Sequence, residues 1–557
     1  MNTIYQAKIN ALLADAAYVD VTWQMNAEDI RGALGEKRLT STQAEFVATN
    51  FEVASAINTS DWPILGSGFD ATVWRGRAGT EFAGQVFVSP RGTELPGVDI
   101  WGADVDLTLN VAARTQIIDM VNWWLQETAP AGVPVAQIKW DPLRTKPGTI
   151  NGIEPGLVLS TSVAGTGGLV GTTSVQVNGH SLGGHLASAF ARIFGGDTPA
   201  GGSVRVESVT TFNSAGFNGD NAEFFFAQIQ SLLGTGLPNF DAVEAKQTNF
   251  FAENGIEVTT NTWWFEQMGV RVGLAQEETT GIGNHNMYRL TDLLALGAAL
   301  EKLDPALNFE KLNALVSGGS SMPVASLEGV LDALRKTLIG SNAERLPTGD
   351  AGGNDQIRAA FHSTLDALQV EPIFESLKGR LNIVQLGGDL TSAAKTDFGA
   401  FLALQFLSPF VLNTSDPEAL IALRNVHGQM AIDWQADKNA RLYGDTAYAY
   451  SFSERWYEDR AMLLRAMAVR NEQDNTTGQV FDAKAKAGQV TFFDFVNPAT
   501  GQKSLLSTLN SGVGGLPEQF IAFGEEGDDT LTGSDINRLG DHLHGDGCND
   551  TTWRLAA

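Results

Sequence analysis

The chain has 557 residues, 64 of them acidic against 37 Lys and Arg, giving a formal net charge of −27. That length exceeds one ordinary hydrophobic core and predicts two to four domains. The charge argues against nucleic acid as a partner and against electrostatic docking on anionic membranes, and it suits solubility or cation binding.

The first residues, MNTIYQAKINALLADAAYVD, have no basic leader and no small-residue cleavage site. They predict a mature helix rather than a Sec signal peptide. No run of about 18 uncharged apolar residues occurs, so no transmembrane helix is expected. From residue 1 to about 300, β-rich apolar runs alternate with helical patterns. GQVFVS (84–89), SVQVNG (174–179), ESVTTFN (207–213) and TNFFAE (248–253) predict buried parallel strands. TQIIDMVNWWLQET (115–128) and GGHLASAFARIFG (183–195) predict helices between them. The alternation predicts a doubly wound α/β sheet.

Gly179-His180-Ser181-Leu182-Gly183 fits G-x-S-x-G between a strand and a helix. That pattern suits a sharp, strained turn that lifts the serine oxygen above a sheet, with glycines where side chains would clash. The helix that follows aims its N-terminus at the same place and favours negative charge there. Ser181 is the expected nucleophile.

GHSLGG after a β-rich run resembles the class 3, fungal-type lipases and their bacterial relatives. VFVSPRGTE (86–94) is similar to that family's F-R-G-T segment, and DIWGADVDLTL (99–109) to its W-x-x-D stretch. Ser89-Pro90 departs from the family by standing where an apolar–aromatic pair is usual. The resemblance implies an α/β-hydrolase fold over residues 1–300 and a carboxylic ester hydrolase, a lipase or phospholipase A. It implies Thr93 and Leu182 as oxyanion donors.

In that fold the nucleophile is followed in the chain by an acid and then by histidine. His285, on the Gly-rich loop GIGNHNMYRL (281–290), is the expected base, and it also matches the family's His-x-Met segment. His180 and His185 are expected to point away from the nucleophile. For the acid, Glu253 at a strand end is the first choice, with Glu257 and Asp241 as alternatives. The apolar segment NAEFFFAQIQSLLG (221–234) is either a lid or acyl-pocket helix or an ordinary core helix.

Residues 301–519 predict a mostly helical accessory region, as in LEGVLDALRKTLIG (327–340) and ERWYEDRAMLLRAMAVRN (454–471), with a hinge at 342–356. No site chemistry is expected there. Residues 520–557 are rich in Gly and Asp and poor in apolar residues. Gly524, Gly527, Asp529 and Leu531 follow the nonapeptide that winds a Ca²⁺-binding parallel β-roll. Asp541 and Asp550 are nine residues apart, one repeat, whereas Asp529 and Asp541 are twelve apart. His542 and His544 are expected to face solvent.

This tail resembles RTX proteins, in a short β-roll remnant that stops at TTWRLAA as a truncated array would. The resemblance implies Ca²⁺ on Asp529, Asp541 and Asp550, no catalytic cofactor, and secretion by a type I system. One cysteine, Cys548, excludes an intrachain disulfide and agrees with that route. The expected substrate is a lipid ester. The alternative is an RTX calcium-binding adhesin or toxin scaffold with an inactive hydrolase core.

Overall fold

The computed structural model describes residues 3–59, 67–92, 103–144, 156–196, 204–217, 219–236, 238–253, 267–275, 283, 285–317, 326–340, 346, 356–474, 489–494, 504–507, 518–524, 530–533, 541–545 and 551–553. The chain divides into two compact units, Met1–Ala295 with Gly352–Ala359, and Leu296–Ala351 with Ala360–Ala557.

The first unit is mixed α/β around a mostly parallel seven-stranded sheet. Its strands are β1 (Phe51–Asn58), β2 (Asp70–Gly76), β3 (Val86–Pro90), β6 (Ser174–His180), β7 (Arg205–Phe212), β8 (Gln247–Ala252) and β9 (Val270–Leu274), in the order β1-β2-β3-β6-β7-β8-β9. β1, β2 and β3 pair antiparallel, and every pair from β3 to β9 is parallel. β4 (Pro134–Asp141) and β5 (Gly156–Ala164) form a separate antiparallel ribbon. The four strands expected from the sequence, β3, β6, β7 and β8, are adjacent in the sheet. The two N-terminal antiparallel strands and the ribbon were not anticipated.

Helices cover both faces because side chains alternate sides along each strand. α1 (Ile4–Ala16), α2 (Ala27–Lys37) and α3 (Ser41–Asn50) bury Leu12, Leu13, Leu34 and Val47 with Phe51, Trp74 and Phe87 of the strands. α1 starts in a capping box, in which Thr3 accepts from Gln6 and the Gln6 side chain accepts from Thr3. α4 (Ala103–Thr128), α5 (Leu182–Phe194) and α6 (Gly219–Leu232) pack Trp124, Phe190, Phe194, Phe226 and Ile229 against Val86, Val88, Val175 and Val177. α7 (Phe240–Glu244) precedes β8, and α8 (Met287–Leu303) follows the sheet.

α6 therefore resolves the choice between lid and core. Phe225, Phe226 and Ile229 are buried in the core, Leu232 and Leu233 pack against it, and among the described residues Phe224 is the one large apolar side chain of the helix that is exposed. A helix with that much apolar surface already covered has little left to present to a lipid.

The second unit begins within α8. It continues through α9 (Phe309–Ser317), α10 (Ser326–Ile339), α11 (Gln356–Gln369, of which residues up to Ala359 belong to the first unit), α12 (Pro372–Leu377), α13 (Leu390–Ala394), α14 (Phe398–Gln405), α15 (Pro417–Val426), α16 (Gly428–Tyr443) and α17 (Glu454–Asp474). Strands β10 (Asn382–Gln385) and β11 (Phe410–Asn413) pair antiparallel among these helices. Phe401 anchors an aromatic core with Trp434, Phe452 and Trp456.

The C-terminal strands are β12 (Gln489–Asp494), β13 (Ser504–Ser507), β14 (Glu518–Phe523), β15 (Thr530–Thr532), β16 (His542–His544) and β17 (Thr551–Trp553). From β14 onward they alternate between two sheets. β14 pairs in parallel with β16, Ile521 opposite His542, and β15 pairs in parallel with β17, Thr530 opposite Thr551. Both offsets are 21 residues, the sum of one regular nine-residue step and the twelve-residue step from Asp529 to Asp541. β14 is also flanked by β12, so the coil does not stand alone. That pairing joins the stretch expected to be helical to the Gly/Asp tail in one compact unit.

Candidate active site

The C-terminal ends of the five parallel strands β3, β6, β7, β8 and β9 share one edge of the sheet, where open α/β sheets form their crevices. Ser181 follows β6 directly and has φ 57° and ψ −125°, a left-handed conformation that a non-glycine residue avoids. The sequence makes the turn feasible by removing side chains around it. A Cβ on Gly179 would lie 2.3 Å from the Gly183 carbonyl oxygen, and one on Gly183 would lie 2.3 Å from the Pro90 carbonyl oxygen. The Ser181 N–H donates to the Phe212 carbonyl at the end of β7, which holds the elbow against the neighbouring strand.

His285 meets Ser181, with Nε2 2.9 Å from Oγ. The two residues are 104 apart in the chain. The backbone of His285 is held as well. Its carbonyl accepts from His180 Nε2 at 2.7 Å and from Asn213 Nδ2 at 3.4 Å. Asn213 itself has φ 43°, and its Oδ1 accepts from the Ala252 N–H, which ties the ends of β7 and β8 to His285.

His180 is the surprise of the elbow. Its side chain is buried, and its Nδ1 lies 2.8 Å from the Tyr18 hydroxyl. Burial, and then the nearby His285, hold its pKa well below the usual histidine value, so the ring is neutral. A carbonyl only accepts, so Nε2 carries the proton and Tyr18 donates to Nδ1. Tyr18 is in turn covered by the Arg38 guanidinium, 3.9 Å from its ring centre. Both ring nitrogens of His180 are thus engaged, one by Tyr18 and one by the backbone of the loop that carries His285. Its place inside G-x-S-x-G offered no signal of that partner. His185 is likewise buried in contact with Phe217 rather than set on a helix surface.

The residues expected to donate to an oxyanion map to the start of α5 and to the chain just past β3. Leu182 is the first residue of α5, and N–H groups of a first turn have no partner within the helix. The chain at Pro90–Gly92 passes against Gly183, and a Cβ on Gly92 would collide with the Tyr18 hydroxyl. Thr93, the next residue, lies outside the described residues. The departure at Ser89 has a local reason. Ser89 is fully buried and donates to Asn178 Oδ1 across the β3–β6 pair, and Asn178 donates to Asn10 of α1. Both buried polar groups are thus satisfied.

The acid candidates are distributed unevenly. Glu253 follows β8 at the correct edge, donates its N–H to Leu274, and sets its carboxylate beside Gly273. Among the described residues no hydrogen bond or ion pair joins Glu253 to His285. Glu257 lies outside the described residues. Asp241 is in α7, before β8 starts, and so belongs to the opposite edge of the sheet.

Of the calcium candidates, Asp541 immediately precedes β16 with its carboxylate near Gly533, while Asp529 and Asp550 lie outside the described residues. His542 and His544 do not face solvent alone. Both approach Asp459 of α17, a residue in the region expected to carry no site chemistry. Among the described residues no helix is long and apolar enough to cross a membrane. Neither a family model nor a curated protein matches the chain.

Proposed function

We propose that this chain is a serine hydrolase of α/β-hydrolase type that cleaves carboxylic esters of lipids through an acyl-Ser181 intermediate. The observation that carries the reading is the 2.9 Å approach of His285 Nε2 to a Ser181 oxygen held on a strained strand-to-helix turn. A strained non-glycine residue that meets a base from a distant loop is costly to maintain and has a use in nucleophilic catalysis.

The chemistry follows from the positions. His285 Nε2 takes the hydroxyl proton as Ser181 Oγ attacks the ester carbonyl carbon. Negative charge develops on the carbonyl oxygen beside the first turn of α5. Leu182 N–H is one donor for it, and Thr93, directly after the segment that crosses Gly183, supplies the second. Each such donor contributes on the order of 10²–10³ in rate. His285 then gives the proton to the departing alcohol, and water attacks the acyl-serine by the same route. The acid that orients His285 is Glu253 or Glu257. Triacylglycerols, phospholipids and shorter esters all satisfy this mechanism.

The second unit's alternating parallel strands support an RTX-type roll, in which Asp529, Asp541 and Asp550 would hold Ca²⁺, and with it export by a type I system. No catalytic step runs through that ion.

A fluorophosphonate probe tests the reading without a known substrate. The wild-type chain should label stoichiometrically and Ser181→Ala should not label at all. Absent labelling, or labelling indifferent to the substitution, would leave a calcium-binding scaffold with an inert core as the better account.

A further inference from the structure

We propose that Asp459, His542 and His544 form a site for a divalent transition metal of the zinc type, which clips helix α17 to roll strand β16. His542 Nδ1 and His544 Nε2 lie 2.7 and 2.8 Å from the same oxygen, Asp459 Oδ2. One ligand atom from each of the three residues falls within 4.8 Å of the other two. His542 and His544 are two apart on a strand, so their rings project from one face, as a His-x-His ligand pair requires.

Charge balance points the same way. Asp459 is 2% exposed, and among the described residues its charged-group partners are these two histidines alone. The adjacent Arg460 is turned to other work, donating to the Leu404 and Gln405 carbonyls and lying over Phe523 of β14. A buried carboxylate needs a compensating positive charge. A dication held by the lone pairs of both imidazoles would supply it.

The donor set selects the metal. Two imidazoles and one carboxylate suit zinc-type ions, while Ca²⁺ takes about 6–8 oxygens. At zinc–ligand distances of about 2.0–2.2 Å, the ring nitrogens need to move from the carboxylate oxygen by only about half an ångström. Gln519 Nε2 lies 3.0 Å from His542 Nε2, the nitrogen that would not bind the metal. With its amide turned over, Gln519 would accept the Nε2 proton and fix the ring, the usual support for a metal-bound histidine. The fourth position would hold water. The site is chemically separate from the roll's carboxylates and independent of the hydrolase reading.

The test uses the full chain with millimolar Ca²⁺ present throughout, stripped with a zinc-selective chelator. Titration with Co²⁺ should give visible bands of a four- or five-coordinate ion saturating at one equivalent, and Zn²⁺ should displace it. His542→Gln and His544→Gln should each weaken binding at least 100-fold. X-ray absorption at the zinc edge of the wild-type chain should report two imidazoles, which covers the case of a variant that fails to fold. No stoichiometric ion, binding indifferent to both substitutions, or fewer than two imidazoles at the metal would overturn the proposal and leave a hydrogen-bonded clamp only.

Discussion

His180 offers the sharpest probe of how the site is held. In His180→Phe the ring volume is nearly kept and the Nε2–H is lost. The His285 carbonyl then retains only the 3.4 Å bond from Asn213 among the two described above. One buried hydrogen bond is worth about 0.5–1.5 kcal/mol, and a loop displaced by about 1 Å can cost on the order of 10²-fold in rate. The second-order rate of fluorophosphonate labelling should therefore fall by about 10–100-fold, equivalent to about 1.4–2.7 kcal/mol. Tyr18→Phe is the matched control, because it leaves Nε2–H in place but strands the buried Nδ1. It should cost about 1–3 kcal/mol of stability with a smaller effect on labelling. The assay is probe labelling at several concentrations, with denaturant unfolding of each variant. Labelling of His180→Phe within twofold of wild type would refute the claim that His180 positions the base.

Three further expectations follow from the same geometry. If Glu253 orients His285, Glu253→Gln should lower ester turnover by on the order of 10⁴-fold while Glu257→Gln does not, and the reverse result would assign Glu257. Burial lowers the His185 pKa from 6.5 to about 4, so the unfolded chain binds the extra proton first as pH falls. Stability is then fully present above about pH 6.5 and declines by about 3 kcal/mol as pH falls to about 4, and His185→Asn should flatten that slope in melting curves. Equal slopes for the two proteins would show that His185 is not the group responsible. Phe225→Ala should destabilise by about 3–5 kcal/mol as a core deletion, whereas Phe224→Ser should stay within about 0.5 kcal/mol. Equal unfolding midpoints for the two would contradict the core placement of α6.

What the sequence determined by itself was local. Four central strands and the helix after the elbow carry their periodicity in adjacent residues, so β3, β6, β7, β8 and α5 were legible within a few positions, whereas α4 starts twelve residues before the stretch expected to be helical. The elbow was legible too, because Gly179 and Gly183 mark where a Cβ cannot fit. The nonapeptide spacing likewise announced parallel strands, and the odd twelve-residue step reappears in the 21-residue offset of both strand pairs.

Only the tertiary structure could decide contacts between residues far apart in the chain. Tyr18 and His180 are 162 residues apart, His285 and Asn213 are 72 apart, and His542 and Asp459 are 83 apart. No periodicity links such pairs, since the sheet order and the strand register set their distance. The same limit explains α6 and Asp459. An apolar helix reads alike whether its face meets a core or a lipid, and a lone aspartate in an amphipathic helix shows nothing of the histidines that a distant strand brings to it. Ser181 could be named from five residues, but the histidine that meets it had to be delivered by a loop 104 residues away.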